Sequence, residues 1–226
     1  MTFKEFIKEL NGDRVEGELI KTIFYSLLTS VITLLVLYFI KLRQIDNFIP
    51  KYGIFVFLVV LSYALITATL RQVKAYKVFA CMPGMMIGMT TGMMGFLPGF
   101  YVGATNGMFT GGFFGMAIGI ILGAWSGKCC GIMGVMEGVM AGFMGGLMGA
   151  MTAVMMLNDN LKIAAVLVFI ISAVLLTGLN YMIYRETKET EREKKEDHFL
   201  TVLLSFILTV ITIWIMVFGP RSLLFS

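Results

Sequence analysis

Sulfur-bearing side chains crowd the middle of this 226-residue chain, where 16 of its 19 methionines lie between residues 82 and 156. Neighbouring methionines are mostly three or four positions apart, which places them on one face of a helix. A thioether sulfur is a soft, neutral ligand that suits Cu(I) and similar ions. Flexible methionine also fills irregular gaps beside glycine, so packing alone remains the alternative. The pattern predicts a soft-metal site built from Cys81, Met82, Met86, Met89, Met93, Cys129, Cys130, Met133, Met136, Met140, Met144 and Met148.

The three cysteines of the chain, Cys81, Cys129 and Cys130, begin the two methionine-rich stretches. They are too few and too unevenly spaced for the disulfide framework of a secreted protein. Thiols on the cytoplasmic side of a membrane would stay reduced. We therefore expect a ladder of thioethers that ends at a cytoplasmic thiol cluster, although cysteines in apolar segments also serve as small packing residues.

Glu137 is the only acidic side chain inside the apolar segments. A charged group within a bilayer is costly and by default marks a functional site. The carboxylate could coordinate a cation, carry a proton or pair with Lys128, and it could also extend to the membrane surface. Thr90, Thr91 and Asn106 add a predicted polar pathway, with hydrogen bonding between helices as the alternative.

Two local motifs of the central block resemble those of known metal transporters. The MxxxM element, seen at Met136 and Met140, and the GxxxG spacing are similar to elements of the Ctr-type copper transporters. The vicinal Cys129 and Cys130 resemble the paired cysteines of bacterial mercury-transport membrane proteins. These resemblances cover short stretches, and the copper transporters are smaller, with fewer spans. They imply handling of a soft metal ion, Cu(I) first.

Glycine is the second unusual residue of this block, because 20 of the 25 glycines lie between residues 84 and 149, mostly at every fourth position. Small residues four apart form a groove in which a neighbouring helix backbone can sit within a bilayer. We therefore expect three closely packed helices with short hairpins at 98–102 and 126–130, and sulfur lining the contact between the first helix and the third. The predicted packing positions are Gly84, Gly88, Gly92, Gly138, Gly142 and Gly146.

Residues 81–96 and 135–150 share glycine and methionine positions at an offset of 54, and this similarity predicts an internal repeat. In the predicted topology both segments cross the membrane in the same direction. Parallel repeats of this kind occur in transporters, with binding sites where the two repeats meet.

The composition indicates the class of protein to which these elements belong. Hydrophobic residues make up 58% of the chain and charged residues 14%, against about 25% charged in a soluble domain. A helix crosses the hydrocarbon core with about 20 apolar residues. The sequence therefore predicts an all-α, polytopic transmembrane bundle of about seven spans, at 22–40, 54–70, 78–97, 103–125, 131–157, 163–184 and 199–218.

The segments between the spans indicate how the chain is divided and oriented. An N-terminus in the cytoplasm would place 13 of the 18 Lys and Arg residues on that side, as the positive-inside rule favours. We expect a multi-pass protein of the cell (plasma or inner) membrane, in which one re-entrant central span would reverse the side of the C-terminus. The predicted divisions are a cytoplasmic amphipathic segment at 1–21, two ordinary helices in 22–77, a three-helix core at 78–157, a sixth helix in 158–184, a charged cytoplasmic helix or linker at 185–198, and a last helix in 199–226.

Several classes of function are disfavoured. An enzyme is not expected, because the chain has one histidine and no nucleophile–base pair, metalloprotease motif or phosphate-binding loop. Nucleic acid is not an expected partner. The expected partners are the lipid bilayer and either a second copy in a homo-oligomer or other membrane subunits. Three hypotheses stay open: a transporter or membrane chaperone for Cu(I) or another soft ion, which would be the only cofactor; a non-transporting scaffold packed through glycines; and a proton or cation channel around Glu137.

Overall fold

The computed structural model describes residues 17–44, 48–75, 82–128, 131–186 and 198–221. Most of the predicted amphipathic segment 1–21 and of the charged segment 185–198 lies outside these residues. Cys81, Cys129 and Cys130 lie outside them as well.

The described residues form seven α-helices and one short 3₁₀ turn, Leu42–Gln44, and contain no strand. The all-α prediction is therefore confirmed for this part of the chain. Six of the helices, all except α3, are long and apolar enough to cross a membrane. The helices are α1 (Gly17–Ile40), α2 (Phe48–Ala75), α3 (Met82–Asn106), α4 (Met108–Gly127), α5 (Gly131–Met155), α6 (Leu161–Glu186) and α7 (His198–Phe218).

Contacts between helices show that their directions alternate along the chain. Ser26 and Ser30 of α1 bond to Ser205 and Thr209 of α7, so these two helices run in the same direction. Thr69 of α2 bonds to Asn180 of α6, and Pro50 at the other end of α2 accepts a bond from Lys162, which makes α2 and α6 parallel. Gly88 and Gly103 of α3 face Ala141 and Ala150 of α5, so α3 and α5 are also parallel, as predicted.

The hairpin between α3 and α4 differs from the prediction at 98–102. Pro98 lies inside α3, and the chain turns at Gly107 instead. Proline already has a helical φ, and its main cost is one lost backbone hydrogen bond and local crowding. Gly107 has φ 108° and ψ 169°, a conformation that only glycine adopts without strain. The second predicted hairpin is confirmed, because α4 ends at Gly127 and α5 begins at Gly131.

The middle of the bundle consists of α2 and α3, which carry most of the fully buried large side chains, including Ile66, Phe100 and Tyr101. The helices α1 and α6 turn rows of large apolar side chains outward, among them Phe39 and Ile171. An apolar outer surface on this scale is typical of a protein that is surrounded by lipid.

Candidate functional site

The glycines of α3, α4 and α5 bring the three helix backbones into direct contact. A methyl group placed on Gly95 would lie 2.6 Å from the carbonyl oxygen of Gly142, and one on Gly119 would lie 2.6 Å from the same oxygen. Real Cβ atoms do not approach backbone this closely, so glycine is required at these positions. The predicted close packing of the three helices is confirmed, and we call this contact region the glycine seam. Its residues are Gly95, Gly99, Gly103, Gly111, Gly115, Gly119, Gly123, Gly127, Gly134, Gly138, Gly142, Gly145, Gly146 and Gly149.

The methionines of α5 lie on the side of the helix that faces away from the glycine seam. Met133, Met136, Met140, Met144 and Met148 are 52–71% exposed. The expectation that sulfur lines the contact between α3 and α5 is therefore wrong. Its physical reason is steric, because two backbones in van der Waals contact leave no space for a thioether between them.

The methionines of α3 point in several directions. Met86 is buried against Val73 of α2 and Leu179 and Ile183 of α6, on a side of α3 that does not face α5. Met89 is 53% exposed, and Met93 is partly buried against the main core. The side chain of Met82 lies outside the described residues. The structure thus places Met86 away from the exposed methionines of α5, and the rest of the predicted ligand set stays a prediction.

Acidic, cysteine and histidine side chains do not form a metal-binding group of three or more among the residues that the structure describes. The three cysteines of the predicted site lie outside those residues. Because α3 and α5 are parallel, their first residues, Met82 and Gly131, lie at the same end of the three-helix unit.

Glu137 is half-buried on α5, and its Oε2 atom is buried without a hydrogen-bond partner in the described part of the chain. Lys128, which is described and exposed, makes no ion pair with it, so the structure does not contain that predicted pairing. Glu137 precedes Ala141, which faces Gly88, by one helical turn. The carboxylate therefore lies on the side of α5 that turns toward the start of α3.

The three residues of the predicted polar pathway lie at two separate places on α3, and the pathway itself stays a prediction. Thr90 and Thr91 are buried, but each hydroxyl donates to a carbonyl of its own helix, those of Met86 and Ile87. Asn106 lies at the far end of α3, where its Nδ2 donates to the carbonyl oxygen of Ile215 at 2.8 Å. Asn106 therefore joins the α3–α4 turn to the last turn of α7.

The glycine positions that the predicted repeat matches do not have equivalent surroundings. A methyl group on Gly88 would meet only the Cβ of Ala141, at 4.0 Å, whereas one on Gly142 would overlap the backbone of Gly119. The parallel direction of α3 and α5 agrees with a repeat, and the repeat itself stays a prediction.

A hydroxyl cluster between α1, α2 and α7 was missed by the sequence analysis. The hydroxyl of Ser26 donates to that of Ser205 at 2.8 Å and lies 2.9 Å from that of Thr67. Ser30 bonds to Ser205 at 2.8 Å and to Thr209 at 3.2 Å. A signal was present in the sequence, because Ser or Thr recurs at every fourth position in both α1 and α7.

The buried guanidinium of Arg71 lies beyond this cluster and donates to the hydroxyl of Thr22 at 2.6 Å. Hydrogen bonds between membrane helices contribute about 0.6 kcal/mol each on average. The cluster therefore joins α1 and α7 to α2 by several modest contributions, in a region where glycine is absent.

Comparison with protein-family models, with curated proteins and with solved structures finds no match to this chain. Proposals about its function therefore depend on its own residues.

Proposed function

We propose that the protein is a non-transporting membrane scaffold, an assembly or accessory subunit whose rigid centre is the glycine seam. One observation carries the proposal: the backbones of α4 and α5 touch along nearly their whole length, and the backbone of α3 joins them from Gly92 to Gly103. Helix backbones packed this closely leave no cavity between them in which a transported molecule or ion could bind. The exposed methionines of α5 point away from the glycine seam, so their sulfur atoms do not lie between the three helices.

All seven helices cross the bilayer in this proposal. The weaker hydropathy of α3 is compensated by its position, since α2, α4, α5, α6 and α7 all pack against it. Seven alternating helices would put the two ends of the chain on opposite sides of the membrane. The distribution of Lys and Arg favours a cytoplasmic N-terminus in the cell membrane.

Two variants separate the scaffold from a metal-dependent function. In the first, Met136, Met140 and Met144 are replaced by leucine; these side chains are exposed, so the scaffold should fold and assemble unchanged. In the second, Gly142→Leu drives a large side chain into the backbone of Gly119 and should abolish the folded form. Yield, size and thermal unfolding of the purified protein in lipid nanodiscs measure both effects. Loss of biological activity in the triple variant, with normal assembly, would contradict the scaffold proposal.

Handling of a soft metal ion is the second candidate, and the placement of methionine favours it. Every exposed methionine of the described residues belongs to α3, α4, α5 or the turn after α5, whereas the exposed apolar side chains of α1, α6 and α7 are Leu, Ile, Val, Phe, Tyr and Trp. Contact with lipid alone has no need of sulfur. A surface of thioethers could bind Cu(I) if a partner completed the coordination.

Elemental analysis of protein purified under mild reduction tests this second candidate. Copper in the native chain should exceed that in the triple methionine-to-leucine variant, and added Cu(I) should raise the melting temperature of the native chain alone. Equal copper in the two proteins and an unchanged melting temperature would remove the candidate.

A further inference from the structure

We propose that the contact between α2, α3 and α6 holds a binding site for a small monovalent cation, namely Na⁺. The inference goes beyond the scaffold function and does not depend on it. The site is built from neutral oxygen atoms, and its residues are called the acceptor cluster. It consists of Thr69 and Gln72 of α2, Thr90 of α3 and Asn180 of α6, all of which are buried.

Three of these residues lie where α2 packs against α6. The Nδ2 atom of Asn180 lies 3.4 Å from the hydroxyl oxygen of Thr69. Gln72 follows Thr69 by three residues, so their side chains are neighbours on the surface of α2. About one turn further along the two helices, Val73 and Ile183 belong to one buried apolar cluster. The three polar side chains therefore lie among apolar neighbours, close to the ends of two membrane-spanning segments.

Thr90 brings α3 to the same place. Met86 belongs to the same apolar cluster as Val73, and Thr90 follows Met86 by one turn on the same side of α3. Because α2 and α3 run in opposite directions, that turn leads from Val73 back towards Thr69. Gly95 of the glycine seam lies about 140° around α3 from Thr90, so the acceptor cluster is separate from that seam.

The two threonine hydroxyls of the acceptor cluster already use their hydrogens. Thr69 donates to the carbonyl oxygen of Leu65 at 2.9 Å, and Thr90 donates to that of Met86 at 2.7 Å. A hydroxyl has one hydrogen and two lone pairs, so each of these oxygens can only accept a further contact.

Two amide oxygens of the acceptor cluster lack a donor. The Oδ1 atom of Asn180 and the Oε1 atom of Gln72 are buried without a hydrogen-bond partner in the part of the chain that the structure describes. Turning the Asn180 amide over would not remove the problem, because its oxygen would then face that of Thr69, whose hydrogen is already used. Unpaired buried polar atoms are costly, and a bound water or ion is one explanation for them.

The chemistry of the four side-chain oxygens selects among such ligands. Amide and hydroxyl oxygens are hard ligands, which suit hard cations. The acceptor cluster has no carboxylate, so it lacks the negative charge that would offset a divalent cation. Na⁺ is smaller than a water molecule and can accept electron pairs from several oxygens at once. It therefore suits a set of acceptors that has no hydrogen to spare.

The buried guanidinium of Arg71 is directed away from the acceptor cluster. Arg71 lies about 200° around α2 from Thr69, on the opposite side of the helix, and donates to the hydroxyl of Thr22 on α1. The thickness of α2, about 10 Å with its side chains, separates that positive charge from the proposed site.

Thermal unfolding of the full chain in lipid nanodiscs tests the site. The melting temperature is measured in sodium, potassium and choline chloride at equal ionic strength, so that screening of surface charges is the same. We expect it to be higher in sodium than in choline chloride by about 3 °C, the shift for a ligand at ten times its Kd in a chain of this size. Potassium, a larger ion, should give a smaller shift. Equal melting temperatures in the three salts would overturn the inference.

Replacement of both Gln72 and Asn180 by leucine removes the two unpaired oxygens and keeps side chains of similar size. This double variant should lose the difference between sodium and choline chloride. Asn158→Leu is the control, because it removes an exposed carboxamide in the turn after α5, and it should keep the difference. A sodium shift that persists in the double variant would place the binding elsewhere and would also overturn the inference.

Asn180→Asp decides the question if the double variant does not fold. The substitution keeps an oxygen at this position and adds a negative charge, so the sodium shift should be reached at a several-fold lower sodium concentration. An unchanged concentration dependence would contradict the proposed site. Failure of these tests would leave the scaffold proposal in place, because that proposal depends on the glycine seam.

Discussion

Replacement of Gly142 by alanine adds one methyl group where α5 meets the backbone of α4 in the glycine seam. In the structure that methyl would lie closer than 3.0 Å to three backbone atoms of Gly119, namely Cα, C and O. The converse holds for Gly119, whose added methyl would lie 2.6 Å from the carbonyl oxygen of Gly142. Neither helix can accommodate the group by turning a side chain, so α4 and α5 must separate.

The expected cost follows from two opposing effects. Overpacking of a well-packed interior costs typically about 1–3 kcal/mol, and the upper end applies where only backbone can move. Alanine is the better helix former by about 1 kcal/mol in soluble helices, which offsets part of that cost. We therefore expect Gly142→Ala to destabilise the protein by about 2 kcal/mol, more than a tenfold change in the unfolding equilibrium.

Two matched variants make the measurement specific. Gly178→Ala on α6 meets nothing within 4 Å and should be neutral or slightly stabilising. Gly88→Ala meets only the Cβ of Ala141 at 4.0 Å, an ordinary contact, and should also be neutral. Unfolding in mixed micelles, followed by the fluorescence of Trp125 on α4 in a Trp214→Phe background, would report disruption of the packing around α4.

The unfolding free energies of Gly88→Ala and Gly142→Ala distinguish the predicted internal repeat from the packing seen in the structure. The two residues match each other in the predicted repeat, so the repeat alone would give them equal costs. The structure predicts a cost for Gly142 only. Equal unfolding free energies for Gly142→Ala and Gly88→Ala would refute the description of the glycine seam given above.

Three further perturbations address other parts of the molecule. Ser205→Ala removes the hydrogen bonds to both Ser26 and Ser30 and should lower the free energy of unfolding by about 1 kcal/mol. Thr177→Ala, the control, loses a hydrogen bond only to its own helix and should leave that free energy unchanged. Equal effects of the two variants would argue against a stabilising hydroxyl cluster. Glu137→Gln removes the charge of a carboxylate whose buried oxygen has no described hydrogen-bond partner, so the melting temperature should be maintained or raised. A clear loss of stability, or loss of a proton flux in liposomes, would point to a functional carboxylate. Gly107→Ala forces a side chain into a strained backbone conformation and should cost about 1–3 kcal/mol in the same unfolding assay; an unchanged stability would show that the turn does not need glycine.

The hairpin at Gly107 shows why element boundaries were harder to predict than the elements. Pro98 and Gly99 are ordinary turn signals, and the sequence analysis placed the turn there. Within a bilayer an unpaired backbone is costly, so the chain continues as a helix through Pro98 until Gly107 supplies the turn. The local signal at Pro98 was outweighed by the requirement to keep the backbone hydrogen-bonded.

The hydroxyl cluster illustrates a different limit. Ser and Thr at every fourth position of α1 and α7 are visible in the sequence, but isolated hydroxyls in a membrane helix usually bond to their own backbone. Only the packing of α1, α2 and α7 brings Ser26, Ser205 and Thr67 within hydrogen-bonding distance.

Sequence alone determined that this chain is a helical membrane protein with a closely packed three-helix centre, because apolar length and glycine spacing are properties of single helices. It could not determine which face of α5 turns inward, since Gly142 and Met140 belong to two stripes with nearly the same period. Tertiary structure decided that question through sterics: contact between backbones stabilises the seam only where no side chain intervenes. The glycines of α5 therefore face the inside of the three-helix unit, and its methionine sulfur atoms face outward.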